Sequence, residues 1–443
     1  MLKRIHTTNK KIFNQNIRVD FKGKNISSYG GMRLLFDFMK KISLVNNLKN
    51  LVRINQHHKC KYTDLQILLC IISGILCGAR SINEIERISK DPLISRLLST
   101  KGIDEDTIAD RVKMSSLSIN TALKKAIWRV SKRIRSRCST GNEIIDLDSS
   151  AVTVYGKQEG AAKGYNPSNK GKASYNPIFA FHAGTRECIN GMLRPGNAVS
   201  LTDASEFLKE TFENLPTNLS NLLVRADAGF FSDEFIQQIE KRPNTNYLIK
   251  IRLKNMDNML NSLEWHDTAE RNIKYCTFNY RCSNWAKARK FVNIRLETKT
   301  PEKIMGIDYM AKKYEYFSFV TDLDEEPLAI YSKYRDRAIC ENMIEELKNQ
   351  ANTLSIRTRN FDANEMLMIC SIIAYNISHW LQIVNNPEID KHLEVKTIRA
   401  IYIVVAARLI NRSGSLTLVY GRYYIKSHEL RELYEKIVLL YLE

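Results

Sequence analysis

The chain has 443 residues, 44% of them hydrophobic and 26% charged, with a net charge of +19. That length and balance exclude a disordered or fibrous polypeptide and supply enough apolar material for two or three packed units. The charge is unevenly held: residues 1–140 carry 28 Lys and Arg against 10 Asp and Glu, whereas the rest of the chain carries 39 against 38. Excess so segregated implies a polyanion partner, most simply DNA.

Residues 1–30 are polar and basic and read as an arm, without the apolar stretch of a signal peptide. Residues 31–140 read as a helical DNA-binding region. Apolar positions recur every 3 to 4 over Met32–Ile42, Tyr62–Cys77, Ile82–Ile88 and Ser115–Arg135, and Asp106-Thr107 marks a helix start. The apolar run Ile67–Ala79 falls short of the roughly 20 residues a membrane span needs. His57, His58 and Cys60 lack a second ligand pair and read as solvated linker. Nine cysteines with no CxxC pair read as reduced thiols in a cytosolic protein with no membrane partner.

Strand signals begin at Glu143. EIIDLDSSAVTVYG, NPIFAFHAG and ECINGMLRPG are short β-rich runs separated by turn residues. A helix (Ala204–Leu215), a strand ending at Asp227, a helix (Ser232–Lys241) and the strand NYLIKIRLK follow. The pattern describes a mixed sheet flanked by helices, with residues 141–254 as the first part of an α/β core. Residues 255–330 read as a β-rich insertion containing CTFNYRC, KFVNIRLET and YEYFSFVTDL. Residues 331–390 complete the core with the Tyr334 helix and an apolar helix over Ala363–Val384. Residues 391–443 read as one helix (TIRAIYIVVAARLI) and one strand (SLTLVYGRYYI).

Three carboxylates stand where chemistry needs them. Asp146 and Asp148 share one face of the first strand, and Asp148, nearer its carboxyl side, is the better ligand candidate. Asp227 closes LLVRAD before Ala-Gly. Glu341 belongs to YRDRAICENMIEELK, in which Tyr334, Arg337, Glu341 and Lys348 fall on one helical stripe about 60° wide. Glu345, one turn on, is its rival. Carboxylates converging at strand ends and a helix face suit Mg²⁺ and phosphodiester chemistry. Between the first two strands, residues 157–177 are rich in glycine and lysine. Lys163, Lys170 and Lys172 are candidate phosphate contacts there, and the tyrosines can stack on bases. Trp265 and Trp285 read either as base-stacking rings or as buried side chains.

The runs DSS (148–150), QEGAAKGYNP, RPGN (194–197) and RADAGF, with the Y-x2-R-x3-E-x6-K frame, resemble the DDE transposases of bacterial insertion sequences. The subgroup is the one with the YREK signature and a β-rich insertion. Ala228 stands where serine is commoner in that group. The resemblance implies a ribonuclease-H-like fold in which Asp148, Asp227 and Glu341 hold two Mg²⁺, with Mn²⁺ as a substitute. It implies that Tyr334, Arg337 and Lys348 hold DNA phosphates near the cut end. It further implies double-stranded DNA as partner (inverted terminal repeats and target), a homodimer on that DNA, and a nucleoid-associated location. The competing readings are a non-catalytic DNA-binding regulator and a Mg-dependent nuclease without strand transfer.

Overall fold

The computed structural model describes all residues except 1–18, 54–59, 139–142, 216–218, 220, 253–259, 261, 305–306, 387–391 and 442–443. After a short strand β1 (Ile26–Ser27), seven helices run in succession: α1 (Met32–Lys41), α2 (Leu44–Leu51), α3 (Asp64–Leu76), α4 (Ile82–Ser89), α5 (Pro92–Leu97), α6 (Glu105–Lys113) and α7 (Leu117–Cys138). Local chemistry sets several starts. Thr63 and Gln66 close a capping box on α3, and Asp91 caps α5 with Pro92 at its first position. The start expected at Asp106-Thr107 lies two residues earlier, with Asp104 at the N-cap of α6. Most of the basic arm, and His57 and His58, lie outside the described residues.

The α/β part follows: β2 (Glu143–Ser149), β3 (Val152–Thr153), β4 (Ala162–Lys163), β5 (Ala173–Tyr175), β6 (Ile178–His182), β7 (Cys188–Met192), α8 (Ala204–Glu213), β8 (Leu222–Ala226), α9 (Asp233–Glu240) and β9 (Thr245–Ile251). Five of these strands stand in the order β7-β6-β2-β8-β9. β6 and β7 run antiparallel to their neighbours, and β8 and β9 run parallel to β2. This is the ribonuclease-H-like arrangement. Ile145, Leu147, Val224 and Ala226 face one way, onto α8 and α9, so alternation turns Asp146 and Asp148 to the opposite face.

The β-rich stretch is not a separate body but continues the sheet. β10 (His266–Asp267), β11 (Ile273–Tyr280), β12 (Arg289–Ile304) and β13 (Ile307–Thr321) extend it beyond β9, making nine strands. β13 pairs with β9 through Phe319↔Lys250 and Val320↔Ile249. Trp285 packs on Phe231 (5.0 Å between ring centroids) and under Arg289, and Trp265 lies against Tyr316 and Arg295.

Next come α10 (Pro327–Arg335), α11 (Ala338–Asn349), α12 (Phe361–Asn385), α13 (Val395–Ile398), β14 (Ala407–Arg412), β15 (Ser415–Tyr420) and α14 (Ser427–Leu439). α12 is apolar and long enough to cross a membrane by length and composition, yet 94% of its apolar window is buried inside the protein. It is the axis of the molecule. α3 and α7 pack on it, and its residues share one apolar core with the amino-terminal helices. Trp128 of α7 donates its indole N–H to Ile189 O of β7 at 2.9 Å, and Ser131 donates to buried Glu187. The tail departs from the sequence reading. TIRAIYIVVAARLI divides into a helical turn and a strand, β14, and a further helix, α14, follows the β14–β15 hairpin. β1 pairs with β14, and Gly30 N–H donates to Val405 O, so the described end of the arm is fastened to the tail.

Two motifs prove to be packing devices. A Cβ on Gly196 of RPGN would lie 1.9 Å from Ser174 O, and one on Gly164 of QEGAAKGYNP 2.0 Å from Gly196 O. Only glycine permits that approach. Arg194, buried, donates to the carbonyls of Asn176, Val199, Ser200 and Thr202, and burial lowers it to about 10.

Candidate active site

The register of the sheet sets the site. Leu147 pairs with Ala226 and Ala226 with Ile249, so the next row is Asp148, Asp227, Lys250 and, on β13, Phe319. Neighbouring strands are about 4.8 Å apart, and side chains in one row share a face. Asp148 and Asp227 therefore emerge side by side at the carboxyl ends of two parallel strands, where α/β sheets open to ligands. Asp227 caps a short 3₁₀ turn by accepting from Gly229 N–H at 2.9 Å. From above, α11 brings Glu341. The three acids line one cleft of about 400 Å³, with Ala228, Lys250, Arg252, Phe317, Tyr331, Tyr334, Arg335, Arg337 and Ala338.

Two alternatives left open by the sequence are separated here. Asp146 is fully buried and bound by both ends of the Arg225 guanidinium, at 2.7 and 2.8 Å, across the register pair that joins their strands. It is a structural ion pair, away from the cleft. Glu345 does not line the cleft, whereas Glu341 does. Glu346 turns into the core, where it meets His379 Nε2 at 3.2 Å and accepts from Val395 N–H.

The single stripe expected for Tyr334, Arg337, Glu341 and Lys348 is corrected by a break. Tyr334 ends α10, Arg337 stands at the joint, and only Glu341 and Lys348 lie on α11. Bonds from Arg337 N–H to Tyr334 O and from Cys340 N–H to Arg337 O tighten the joint to an i→i+3 turn, which shifts the helical phase. The same joint faces Arg337 inward. Its Nη2 donates to Leu147 O at 2.8 Å and stands 3.1 Å from Asp148 Oδ2, and the residue is 5% exposed. Lys348 donates to Ser150 Oγ at 2.9 Å and Ala151 O at 3.0 Å, and its burial lowers its pKa. Tyr334 packs on Phe319, 4.8 Å between rings, and burial pushes its phenol up to about 12 against the pull of Arg337. Arg337 and Lys348 are thus engaged with the protein's own strand end, at residues 147–151, and Tyr334 with Phe319.

Burial raises Asp148 above the ordinary carboxylate range, and the like charge of Asp227 adds to this, more than Arg337 and the Ser149 N–H offset. Arg337 itself stays charged: burial works against the guanidinium, but Asp148 outweighs it. Hard carboxylate oxygens are the donor chemistry of a divalent cation, and two acids side by side need positive charge. The described residues nevertheless contain no group of three or more acid, His or Cys side chains drawn close enough to hold a metal. Arg337 supplies the positive charge at Asp148.

Lys163, Lys170 and Lys172 are exposed, but none lines the cleft. Lys163 lies in β4 of a small β3-β5-β4 sheet that follows directly from β2. Trp265 and Trp285 are also absent from the cleft lining. What the sequence reading missed is the cations that do line it: Lys250, Arg252 and Arg335. The signal was available. In LIKIRLK, Lys250 and Arg252 interrupt an apolar strand two residues apart, as Asp146 and Asp148 do in the first strand.

A family model described as a transposase DDE domain, group 1, matches residues 9–441. No curated protein matches the chain. Among solved structures, the chain is similar to a piggyBac transposase in a synaptic complex with hairpin DNA, at 15% identity over 84% of this chain and 79% of that chain, with a TM-score of 0.43. It is also similar to a Mos1 transposase paired-end complex with the left transposon end, at 11% identity over 44% and 60%, with a TM-score of 0.18. Both superpositions are loose, so the functional reading stands on the family match and the cleft.

Proposed function

Because the chain belongs to the transposase DDE domain group 1 family, we propose that it binds the inverted ends of a mobile DNA element, cuts there and joins the 3′ ends to target DNA. The observation that supports this most directly is the placement of Asp148, Asp227 and Glu341, from three separate elements, on one cleft. The family generally works with divalent metal ions. In this reading Asp148, Asp227 and Glu341 would hold Mg²⁺, with Mn²⁺ as a substitute. When bound, such ions supply an activated water or 3′-OH and neutralise charge on the leaving oxygen.

The protein's own groups do the rest. Arg337 fixes the rotation of the Asp148 carboxylate through Leu147 O, and Lys348 pins the turn that follows it. The Tyr334 ring, packed on Phe319, keeps water from the inner wall. The acids act on a backbone common to all DNA, so preference for the element's ends comes from other contacts, first among them the basic amino-terminal third. Since α7 is built into the core around α12, that preference is to be measured on the full chain. A homodimer, with one cleft per DNA end, completes the proposal.

The test is end cleavage in Mg²⁺ by Asp148→Asn, Asp227→Asn, Glu341→Gln and Glu345→Gln, beside a gel-shift assay. The first three are expected to lose cleavage and keep DNA binding, and Glu345→Gln to keep both. One observation favours a second reading, a DNA-binding regulator without catalysis: Arg337 stands 3.1 Å from Asp148 and occupies one of its oxygens. Mg²⁺-dependent cleavage by the wild type excludes it. A strand-transfer assay separates a transposase from a nuclease that never joins.

A further inference from the structure

The charge along the carboxyl edge of the sheet changes sign between two adjacent strands. Asp148 and Asp227 close β2 and β8. Lys250, on β9, occupies the next place in the same row, and Arg252, just past the end of that strand, lines the same cleft. Arg335 comes to the cleft from the end of α10. Strand spacing places the β9 cations about 5–10 Å from the acids along the edge.

All three line the cleft, and none has a carboxylate partner among the described residues. Aromatic rings of the cleft hold two of them: Lys250 Nζ lies 5.8 Å from the Phe317 ring centroid, and the Arg335 guanidinium 5.7 Å from that of Tyr331. Arg252 and Arg335 are exposed and Lys250 is half-buried. Arg337 and Lys348 are by contrast spent on Leu147 O, Asp148, Ser150 and Ala151. A strand of DNA reaching the acids therefore meets free positive charge on the β9 side.

We propose that Lys250, Arg252 and Arg335 form the phosphate-holding wall of the cleft, gripping backbone phosphates next to the one positioned over Asp148 and Asp227. The inference rests on the DNA reading above and specifies which cations of that site touch the substrate. Their contribution is sequence-independent, since phosphate carries no base information, and it is salt-dependent, since each contact releases condensed counterions.

The experiment is equilibrium binding of the full-length protein to a fluorescein-labelled random-sequence duplex and to a single strand of the same sequence, in EDTA, across a salt series. The variants are Lys250→Gln, Arg252→Gln, Arg335→Gln, their triple combination, and the charge-keeping set Lys250→Arg, Arg252→Lys and Arg335→Lys. Circular dichroism and thermal melting establish that each variant is folded. Each Gln substitution is expected to reduce the slope of log K against log salt by about 0.7–0.9, and the triple variant by about 2–3 on whichever probe enters the cleft. The charge-keeping variants are expected to retain the wild-type slope. DNA is also expected to protect Lys250 from acetylation in a mass-spectrometric footprint. A triple variant that is folded, binds with the wild-type slope on both probes, and comes from a wild type in which DNA leaves Lys250 equally reactive overturns the inference while leaving the transposase reading intact. A wild type that binds neither probe at any salt removes that reading, and the inference with it.

Discussion

Replacing Arg337 by methionine tests whether the signature arginine is an internal strut. Methionine keeps much of the volume but removes the donor to Leu147 O and the positive charge beside Asp148. The side chains of Arg337 and Asp148 are 6% and 16% exposed, so the pair is nearly dry. Breaking such a pair by removing one partner costs about 3–5 kcal/mol, because the other charge is left buried. Asp148 retains some water and can take up a proton, which places the expected loss for Arg337→Met at or below the lower end of that range, about 2–3 kcal/mol. Asp148→Asn alone strands the guanidinium and carries a similar cost. The double variant leaves neither charge unpaired, so its loss is expected to fall short of the sum by about 2 kcal/mol. The assay is urea unfolding of the four full-length proteins in EDTA, followed by far-ultraviolet circular dichroism and tryptophan fluorescence. Losses for the two single variants that add to within about 0.5 kcal/mol, or a loss under about 1 kcal/mol for Arg337→Met, refute the strut. Arg337 would then be available to DNA, as the sequence alone suggested.

Two further outcomes follow from the same physics. Asp146→Ala leaves the Arg225 guanidinium, 2% exposed, without its carboxylate, and is expected to lower the unfolding free energy by about 3–5 kcal/mol; an unchanged urea midpoint rules out the structural role assigned to that pair. Burial, reinforced by His379 and Arg186, lowers His392 from 6.5 to about 4. The native state thus excludes a proton that the unfolded chain accepts, and stability present above pH 6.5 drains away as the pH falls toward 4. The shift bounds the loss at about 3 kcal/mol, and partial exposure of the ring reduces it to about 1–2 kcal/mol. His392→Gln is expected to flatten that stretch of the stability-versus-pH curve, and an identical slope in both proteins excludes His392 as its source.

Where burial on all sides decides the structure, the sequence was readable. α12 and α3 are apolar around most of their circumference, and their extents follow from composition and caps. The alternation of β2 and β8 likewise put Asp148 and Asp227 at strand ends before any fold was in view. Three features were not readable, each because a distant partner decides it. The break between α10 and α11 contains neither proline nor glycine; it forms where Arg337 reaches a carbonyl on β2. TIRAIYIVVAARLI is apolar enough for a helix, and only its pairing with β1 and β15 draws residues 407–412 into a strand. The β-rich stretch looks self-contained until β13 is placed beside β9. The site itself divides the same way. Lone carboxylates at strand ends advertise themselves, whereas the difference between a cation facing the cleft and one tied inward lies in hydrogen bonds that no local pattern records.

The small sheet joining Ile26–Ser27 to Ala407–Arg412 sets a condition on how the molecule is made. Its two halves are separated by most of the chain, so during synthesis at about 5–20 residues per second the first edge waits roughly half a minute for its partner. The central helix α12, against which α3 and α7 bury their apolar faces, also leaves the ribosome long after them. Until then the amino-terminal helices expose surface that belongs in the core. A message cut short before residue 361 is therefore expected to yield a sticky polypeptide for proteolysis and chaperones. Arrival of α12 is what turns the amino-terminal helices into a folded surface.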